Sequence, residues 1–228
     1  MLRTIPLLLV ALLLAGCRVF FIPVPVPASY FPTPTPEATA VAVEPTMLML
    51  EGKPLADYMP TLKDMPAGFL IQQEGISGTN ADIAKSMEDP VAAEKSLNEL
   101  GRQGGYYRHF APTGLQIAGN GLIAFSLISF ETEEGASKSL PLYIERDRFR
   151  FGKLSEIAMP DLGDESVAHF ARWEDPNEGG SSPRQIDEHI FVIRKGNVLL
   201  FVEGSSFANA GNVNELVALA ELVVNRLP

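Results

Sequence analysis

The chain has one cysteine among its 228 residues, so no disulfide can form within it. Basic residues are also scarce, because 18 Lys and Arg stand against 28 Asp and Glu, giving a formal net charge of −10. An acidic chain without a basic run repels phosphate backbones and anionic lipid headgroups alike. We therefore expect no nucleic-acid partner, and any membrane attachment must use something other than positive charge.

Motifs for nucleophilic and nucleotide chemistry are missing as well. The nearest approach to a Gly-x-Ser-x-Gly elbow is Gly204-Ser205-Ser206-Phe207-Ala208, which ends in alanine and has no histidine after it. Neither a Walker loop nor a Gly-x-Gly-x-x-Gly fingerprint occurs. The sequence favours a protein that is not an enzyme and carries no cofactor.

The three histidines, His109, His169 and His189, include no pair at the i, i+4 spacing of a helical metal site. A duplicated fold would place His109 and His169 in equivalent positions, where Asp187 or Glu188 could join them as metal ligands. Separate histidines on strands explain the pattern more simply, so we predict no metal site.

Acidic side chains form three short clusters: Asp161, Asp164 and Glu165; Glu131, Glu133 and Glu134; and Glu174 with Asp175. A pair facing one cleft could perform acid–base chemistry, but none of the clusters matches a calcium loop. Solvated turns are the simpler interpretation.

Three aromatic residues, Trp173, Tyr106 and Tyr107, stand at the ends of predicted strands. Aromatic side chains at such places either line a ligand groove or cap a core. We favour the core.

The N-terminal segment is typical of a secretory leader. Arg3 supplies a positive start, an apolar run covers residues 5–14, and the small residues Ala15 and Gly16 precede Cys17. As a helix this run would extend about 15 Å, which is half the ~30 Å hydrocarbon core of a membrane. It is therefore too short to be a stable membrane span.

The tetrad Leu14-Ala15-Gly16-Cys17 resembles the lipobox of bacterial lipoproteins. That resemblance implies diacylglyceryl transfer to the Cys17 thiol and cleavage before Cys17, so that residues 1–16 form a removable signal peptide. Two acyl chains hold a protein firmly at a membrane, whereas one holds it only marginally. We predict a lipid-anchored extracytoplasmic protein; the alternatives are an uncleaved signal anchor and plain secretion.

Residues 17–46 are predicted to form a tether. Prolines at positions 23, 25, 27, 32, 34, 36 and 45 favour polyproline II and prevent both helix and sheet ladders. A stiff spacer is the preferred interpretation, and a docking motif for a proline-reading partner in residues 32–36 is the alternative.

Residues 47–228 are predicted to form one globular α+β domain, an antiparallel sheet with helices packed on it. The strands predicted for it are residues 69–73, 106–110, 122–130, 167–173, 188–194 and 198–203, with Gly196-Asn197 as the hairpin turn between the last two. Helices are expected over 81–87 capped by Asn80, from Asp89-Pro90 to Gly104-Gly105, over 133–150 with Pro141 ending or kinking it, and over 212–227. Residues 175–185 read as a long polar loop.

His109-Phe110-Ala111 and His169-Phe170-Ala171 suggest two duplicated strand-strand-helix halves. The layout of residues 60–228, with "MPDLGDES", "FVIRKGNVLLFVEG" and a closing amphipathic helix, resembles PsbP-like secreted domains. It is also similar to the extracytoplasmic sensor domains of some actinobacterial kinases. These resemblances imply a binding or scaffolding role and bring no catalytic residue.

The sequence thus predicts a non-enzymatic binding or accessory module on the outer side of a membrane. A surface hydrolase using a carboxylate pair is one alternative, and a structural spacer or envelope-assembly subunit is another. The protein or small molecule that it binds, the oligomeric state and the choice between inner and outer membrane stay open.

Overall fold

The computed structural model describes residues 48–114, 119–175 and 184–228. The predicted leader, Cys17 and the tether lie outside the described residues, as do positions 176–183 of the predicted polar loop. Within the described ranges, no helix is long and apolar enough to cross a membrane.

Most of the strands belong to one antiparallel sheet of seven. They are β3 (Phe69–Ile76), β4 (Arg102–Pro112), β5 (Leu122–Phe130), β6 (Ser155–Ile157), β7 (Glu165–Asp175), β8 (Arg184–Lys195) and β9 (Val198–Phe207). The sheet order is β3-β4-β5-β9-β8-β7-β6, so β5 and β9 lie at its centre. A separate hairpin of β1 (Met49–Leu50) and β2 (Lys53–Pro54) is followed by a 3-10 helix (Leu55–Tyr58).

Four α-helices pack on the large sheet: α1 (Asn80–Ala84), α2 (Pro90–Glu99), α3 (Glu133–Phe151) and α4 (Val213–Val224). The predicted α+β class, with helices laid on an antiparallel sheet, is confirmed.

The sheet is covered on both sides, and alternate residues of the central strands enter two different cores. On one side, which we call the α3 face, Ile128 and Phe201 pack with residues of α1, α2 and α3. On the other side, the α4 face, Phe125 and Val202 pack with residues of α4 and the 3-10 helix. This is why β5 carries apolar residues on both faces, and its predicted bounds are correct.

Helix starts follow local capping chemistry. Thr79, rather than the predicted Asn80, caps α1, because its hydroxyl accepts from the Asp82 N–H while the Asp82 carboxylate accepts from the Thr79 backbone. Asp89 caps α2 as predicted, and Asn212 caps α4 at the predicted start.

One predicted boundary is wrong. Gly101, with φ of +70°, follows the last turn of α2, whereas Gly104 and Gly105 lie inside β4. The helix predicted over 133–150 is α3, and of the two effects expected of Pro141, ending the helix does not occur, since α3 continues to Phe151. Leu140 and Tyr143 on either side of this proline are buried against the sheet, and that burial outweighs a proline penalty of about 3 kcal/mol.

The two halves of the chain differ in a way that the suggested duplication does not account for. The helix after β5, α3, packs on one face of the sheet, and the helix after β9, α4, packs on the other. The second half also has an additional strand, β6, at the edge of the sheet.

Candidate functional site

Two glutamates interrupt the apolar pattern of the central strands on the α3 face. In β9 Phe201 is followed on that face by Glu203, and in β8 Glu188 precedes Ile190. The register pairs Ile190 with Glu203 and Glu188 with Ser205, so the two glutamates are diagonal neighbours on adjacent strands. Diagonal neighbours have Cβ atoms about 7–8 Å apart or somewhat less.

Two arginines of α3, one helical turn apart, reach toward these glutamates. The Arg150 guanidinium donates from Nη1 to the Glu203 carboxylate at 3.0 Å. Arg146 lies over the rings of Tyr143 and Phe201, at 5.3 and 5.2 Å from their centroids, and 3.9 Å from Glu203. Its principal partner is the neighbouring Asp147, whose Oδ1 accepts from Nη2 at 2.6 Å.

Arg146, Asp147, Arg150, Glu188 and Glu203 together form what we call the charged cluster. Burial raises the pKa of Glu188 to about 7, and the charge of Glu203 adds to that rise. Burial likewise raises the pKa of Asp147 to about 6, against the opposing charge of Arg146. Perturbed carboxyl groups of this kind concentrate at functional sites.

A cavity of about 440 Å³ opens beside the charged cluster. Its lining consists of Ser86, Arg146, Phe149, Arg150 and Glu203. The Phe149 ring is 58% exposed although it is apolar, so it offers surface that a ligand can cover. The cavity thus combines two guanidinium groups, one carboxylate and one aromatic ring.

This arrangement suits binding better than catalysis. Glu188 has a pKa appropriate to an acid–base group. However, its side chain is buried, accepts a hydrogen bond from the Ser205 hydroxyl at 2.6 Å and is not part of the cavity lining. Glu203 lines the cavity but is already paired with Arg150.

The histidines do not come together. The register places His169, Ile190, Glu203, Ala124 and His109 in one row across five strands of the α3 face. Four strand spacings separate His109 from His169, or about 19 Å, so the two cannot bind one metal ion. His189 belongs to the α4 face, where its ring lies 5.2 Å from that of Phe170. In the described ranges, no group of three His, Cys, Asp or Glu side chains is arranged to hold a metal.

The acidic side chains of the three predicted clusters form ion pairs, lie at the start of a helix or are exposed to solvent. Arg194 pairs with both Asp164 and Glu165, at 3.1 and 2.8 Å, while Asp161 is exposed. Glu133 and Glu134 lie in the first turn of α3, and Glu131 precedes the capping Thr132. Glu174 is exposed at the end of β7, and the side chain of Asp175 is outside the described part.

The serines of the Gly204–Ala208 segment point to opposite faces. Ser205 donates to Glu188 on the α3 face, whereas Ser206 lies opposite Asp187 in the register. Asp187 forms an ion pair with Arg172, which donates two hydrogen bonds to its carboxylate at 2.6 and 2.9 Å. Among the described residues, the buried Ser206 hydroxyl and His189 Nδ1 have no hydrogen-bond partner, so no serine–histidine pair exists there.

The three aromatic candidates are separated in the same way. Trp173 lies on the α3 face beside Glu188, and Tyr107 is on that face next to His109, at 5.2 Å between ring centroids. Tyr106 belongs to the α4 face, and its hydroxyl donates to Glu74 at 3.0 Å. The three therefore do not line one groove.

The sequence analysis missed the charged cluster, with the exception of Glu188, which it considered only as a metal ligand. A signal was present: Glu203 directly follows the apolar run of residues 198–202, a run typical of a buried strand. A charge at such a position must find a partner or shift its pKa. Arg146 and Arg150 gave no comparable signal, because charged residues are ordinary on a helix.

Comparisons with known proteins give a likeness among the solved structures. No family model and no curated protein matches the chain. Among solved structures, the chain is similar to the extracellular domain of PknH from Mycobacterium tuberculosis, with a TM-score of 0.45 and 9% sequence identity. The similarity covers 75% of this chain and 93% of that one.

Proposed function

We propose that this chain is an extracytoplasmic lipoprotein, anchored through Cys17, whose folded part is a non-enzymatic binding module. The observation that carries the address is the tetrad Leu14-Ala15-Gly16-Cys17 after a short apolar run. The observation that favours binding is the cavity beside the charged cluster, where the exposed Phe149 ring meets Arg150 and Glu203. Its ligand is a small molecule with a polar group for the charges and an apolar part for the ring.

The anchor is tested by feeding cells labelled palmitate and separating membranes from soluble material. The wild-type chain is expected to carry label and to sediment with membranes, because acyl chains on Cys17 partition into the bilayer. Cys17→Ser should lose both, whereas Thr33→Ala, a tether variant that keeps the thiol, should lose neither. A wild-type chain without label, or with residues 1–16 still attached, would refute the anchor.

The binding site is tested with four probes that share a benzyl or phenyl group and differ in charge: benzoate, benzylamine, phenylalanine and benzyl alcohol. Ligand-observed NMR on the full chain in detergent should show binding of at least one. That binding should weaken in Phe149→Ser and in Arg150→Ala. Arg148→Ala is the matched control, because Arg148 is on the same helix, pairs with Glu145 and does not line the cavity. No binding, or binding that both site variants retain, rejects this cavity as the site.

A hydrolase is the second candidate, and one observation favours it: the raised pKa of Glu188 next to the Glu203 carboxylate. Separations of about 5–9 Å are those of paired glycosidase carboxylates. Chromogenic glycosides offered to the full chain test it directly. Hydrolysis that disappears in both Glu188→Gln and Glu203→Gln would replace the binding proposal, and absence of turnover would remove this candidate.

A further inference from the structure

A second cavity has a cationic lining. It measures about 390 Å³ and lies where β3 leads into α1 beside the start of β4. It is lined by Leu48, Ile76, Ser77, Gly78, Thr79, Asn80, Arg102, Gln103 and Gly104. Among the described lining residues, Arg102 is the one that carries a charge. The Asp82 carboxylate beside the cavity is bonded to the Thr79 hydroxyl and to Lys85. In a chain of net charge −10, a described lining with one guanidinium and no carboxylate is a local departure from the overall charge.

Arg102 is buried, with 6% of its surface exposed. Its Nη1 donates to the Gly78 carbonyl at 3.1 Å and to Asn80 Oδ1 at 2.8 Å, and its Nη2 donates to Ser77 Oγ at 2.7 Å. All three acceptors are neutral. Among the described residues, no carboxylate forms an ion pair with Arg102, and its Nε has no hydrogen-bond partner.

Burying a charge without a counter-charge costs free energy, and hydrogen bonds to neutral acceptors compensate for only part of the hydration that is lost. Other arginines that are largely shielded from solvent show the usual solution, because Arg146 has Asp147 at 2.6 Å and Arg108 has Glu74 at 2.6 Å. Arg102 has no such carboxylate partner among the described residues and borders a cavity instead. Its guanidinium keeps an unused donor on Nη2, since each terminal nitrogen carries two protons.

The backbone is shaped to build this cavity. In β4, Arg102 pairs with Phe130 and Gly104 pairs with Ser129, so Gln103 is an extra residue, a β-bulge. Consecutive strand residues normally point to opposite faces, yet Arg102 and Gln103 line the same cavity because of this bulge. Gly104 has φ of +141°, a conformation that other residues rarely adopt, and a Cβ there would lie 2.5 Å from the Leu48 side chain, which would have to move.

We propose that this cavity binds a small oxyanion, a carboxylate or phosphate group, with Arg102 as its charge partner. The second Nη2 proton of Arg102 and the hydroxyl of Ser77 donate hydrogen bonds to the bound anion. A guanidinium fork matches the geometry of both kinds of anion. The site is separate from the cavity beside the charged cluster, and its failure or success leaves that assignment untouched.

The test measures the thermal unfolding of the full chain in detergent with sodium phosphate, sodium acetate or sodium chloride at matched ionic strength. Phosphate or acetate should raise the Tm relative to chloride by about 3 to 6 °C when the free anion stands at ten times its Kd. The effect must saturate. The anion that gives the larger shift identifies the tetrahedral or the planar group as the one the site prefers. No saturable shift with either anion overturns the proposal.

Variants separate this site from general anion effects. Ser77→Asp places a carboxylate against the Arg102 guanidinium, so the Tm in chloride should rise and the shift with phosphate or acetate should vanish. Ser155→Asp, which adds the same charge at an exposed position of β6, should keep the wild-type shift. Arg102→Lys should weaken the shift, because lysine lacks the fork. A Ser77→Asp chain that is folded and keeps the full anion shift also overturns the proposal.

Discussion

Glu188 and Glu203 lie diagonally across two central strands of one sheet face, and the charge of Glu203 adds to burial in raising the pKa of Glu188 to about 7. Only Glu203 has arginine partners there, Arg150 at 3.0 Å and Arg146 at 3.9 Å. Glu188 has the Ser205 hydroxyl instead. The two neighbouring carboxyl groups therefore have different partners, and it is the pKa of Glu188 that burial and the adjacent charge raise.

We expect Glu188→Gln to remove a loss of stability that the wild type suffers as the pH rises. The pKa of Glu188 is about 7 in the folded chain, against an ordinary value of 4.5. Between these values the folded state holds more protons than the unfolded state, so the free energy of unfolding falls as the pH rises through this window. The full difference amounts to about 3 kcal/mol.

Urea unfolding of wild type and variant at about pH 5 and about pH 8 measures this difference. The variant should gain on the wild type at the higher pH and lose that advantage at the lower pH. Glu221→Gln, at an exposed position of α4, serves as the control and should track the wild type at both. Parallel pH profiles for wild type and Glu188→Gln would contradict the raised pKa.

Asp187 should show the opposite pH dependence. The Arg172 guanidinium holds the pKa of Asp187 below its ordinary value, against its burial, and the Asn209 N–H lowers it further. Stability from such a group is fully present above the ordinary pKa of 3.8 and is lost as the pH falls through the folded value. Asp187→Asn should therefore cost about 2 kcal/mol at neutral pH and less in acid.

Acid titration of the folded fraction, followed by circular dichroism, checks this expectation. Asp161→Asn is the matched control, because Asp161 is exposed and forms none of the described ion pairs. An Asp187→Asn profile that stays below the wild type by a constant amount down to the acid limit would show that the hydrogen bonds, not the charge, matter.

Gly204→Ala should destabilise the fold through a clash beneath α4. A Cβ at this position would lie 2.4 Å from Leu216 Cδ1 and 2.8 Å from its Cδ2. Leu216 is fully buried, so it has no free space into which to turn, and overpacking of this kind costs about 1–3 kcal/mol. Gly121→Ala is the control, since its nearest neighbour would be at 3.6 Å. Equal denaturation midpoints for the two variants would show that α4 shifts freely.

Leu97→Ala should cost about 2–5 kcal/mol, because Leu97 is completely buried where α2 meets the α3 face. Val91→Ala on the same helix should change stability by less than about 0.5 kcal/mol, because that side chain is 80% exposed. Chemical denaturation of both variants measures the contrast. A small effect of Leu97→Ala would mean that α2 is not docked on the sheet.

The success of the sequence analysis depended on patterns that repeat along an element. The apolar run of β5 gave its bounds correctly, since a strand covered on both faces needs no polar side chain. The Gly196-Asn197 turn indicated the hairpin that joins β8 to β9. Asp89 gave the start of α2 through its capping side chain, and the apolar face of the last helix gave the start of α4 near Asn212.

Features that depend on contacts distant in sequence could not be predicted in this way. The bulge at Gln103 follows from the fit of β4 to its neighbour, so Gly104 and Gly105 read as a helix end. The charged cluster joins α3 to strands about 40–60 residues away, and only the folded chain brings them together. Sheet order was equally hidden, because sequence does not say that β9 would insert next to β5.

The two edge strands determine whether the sheets of two copies could pair. One edge strand is β6, which has only three residues, and the other is β3, whose pairing with β4 is interrupted at Gln72. Short or irregular margins are poor templates for adding a foreign strand. Copies that meet edge to edge therefore gain few backbone hydrogen bonds, which disfavours the growth of a fibre from this sheet.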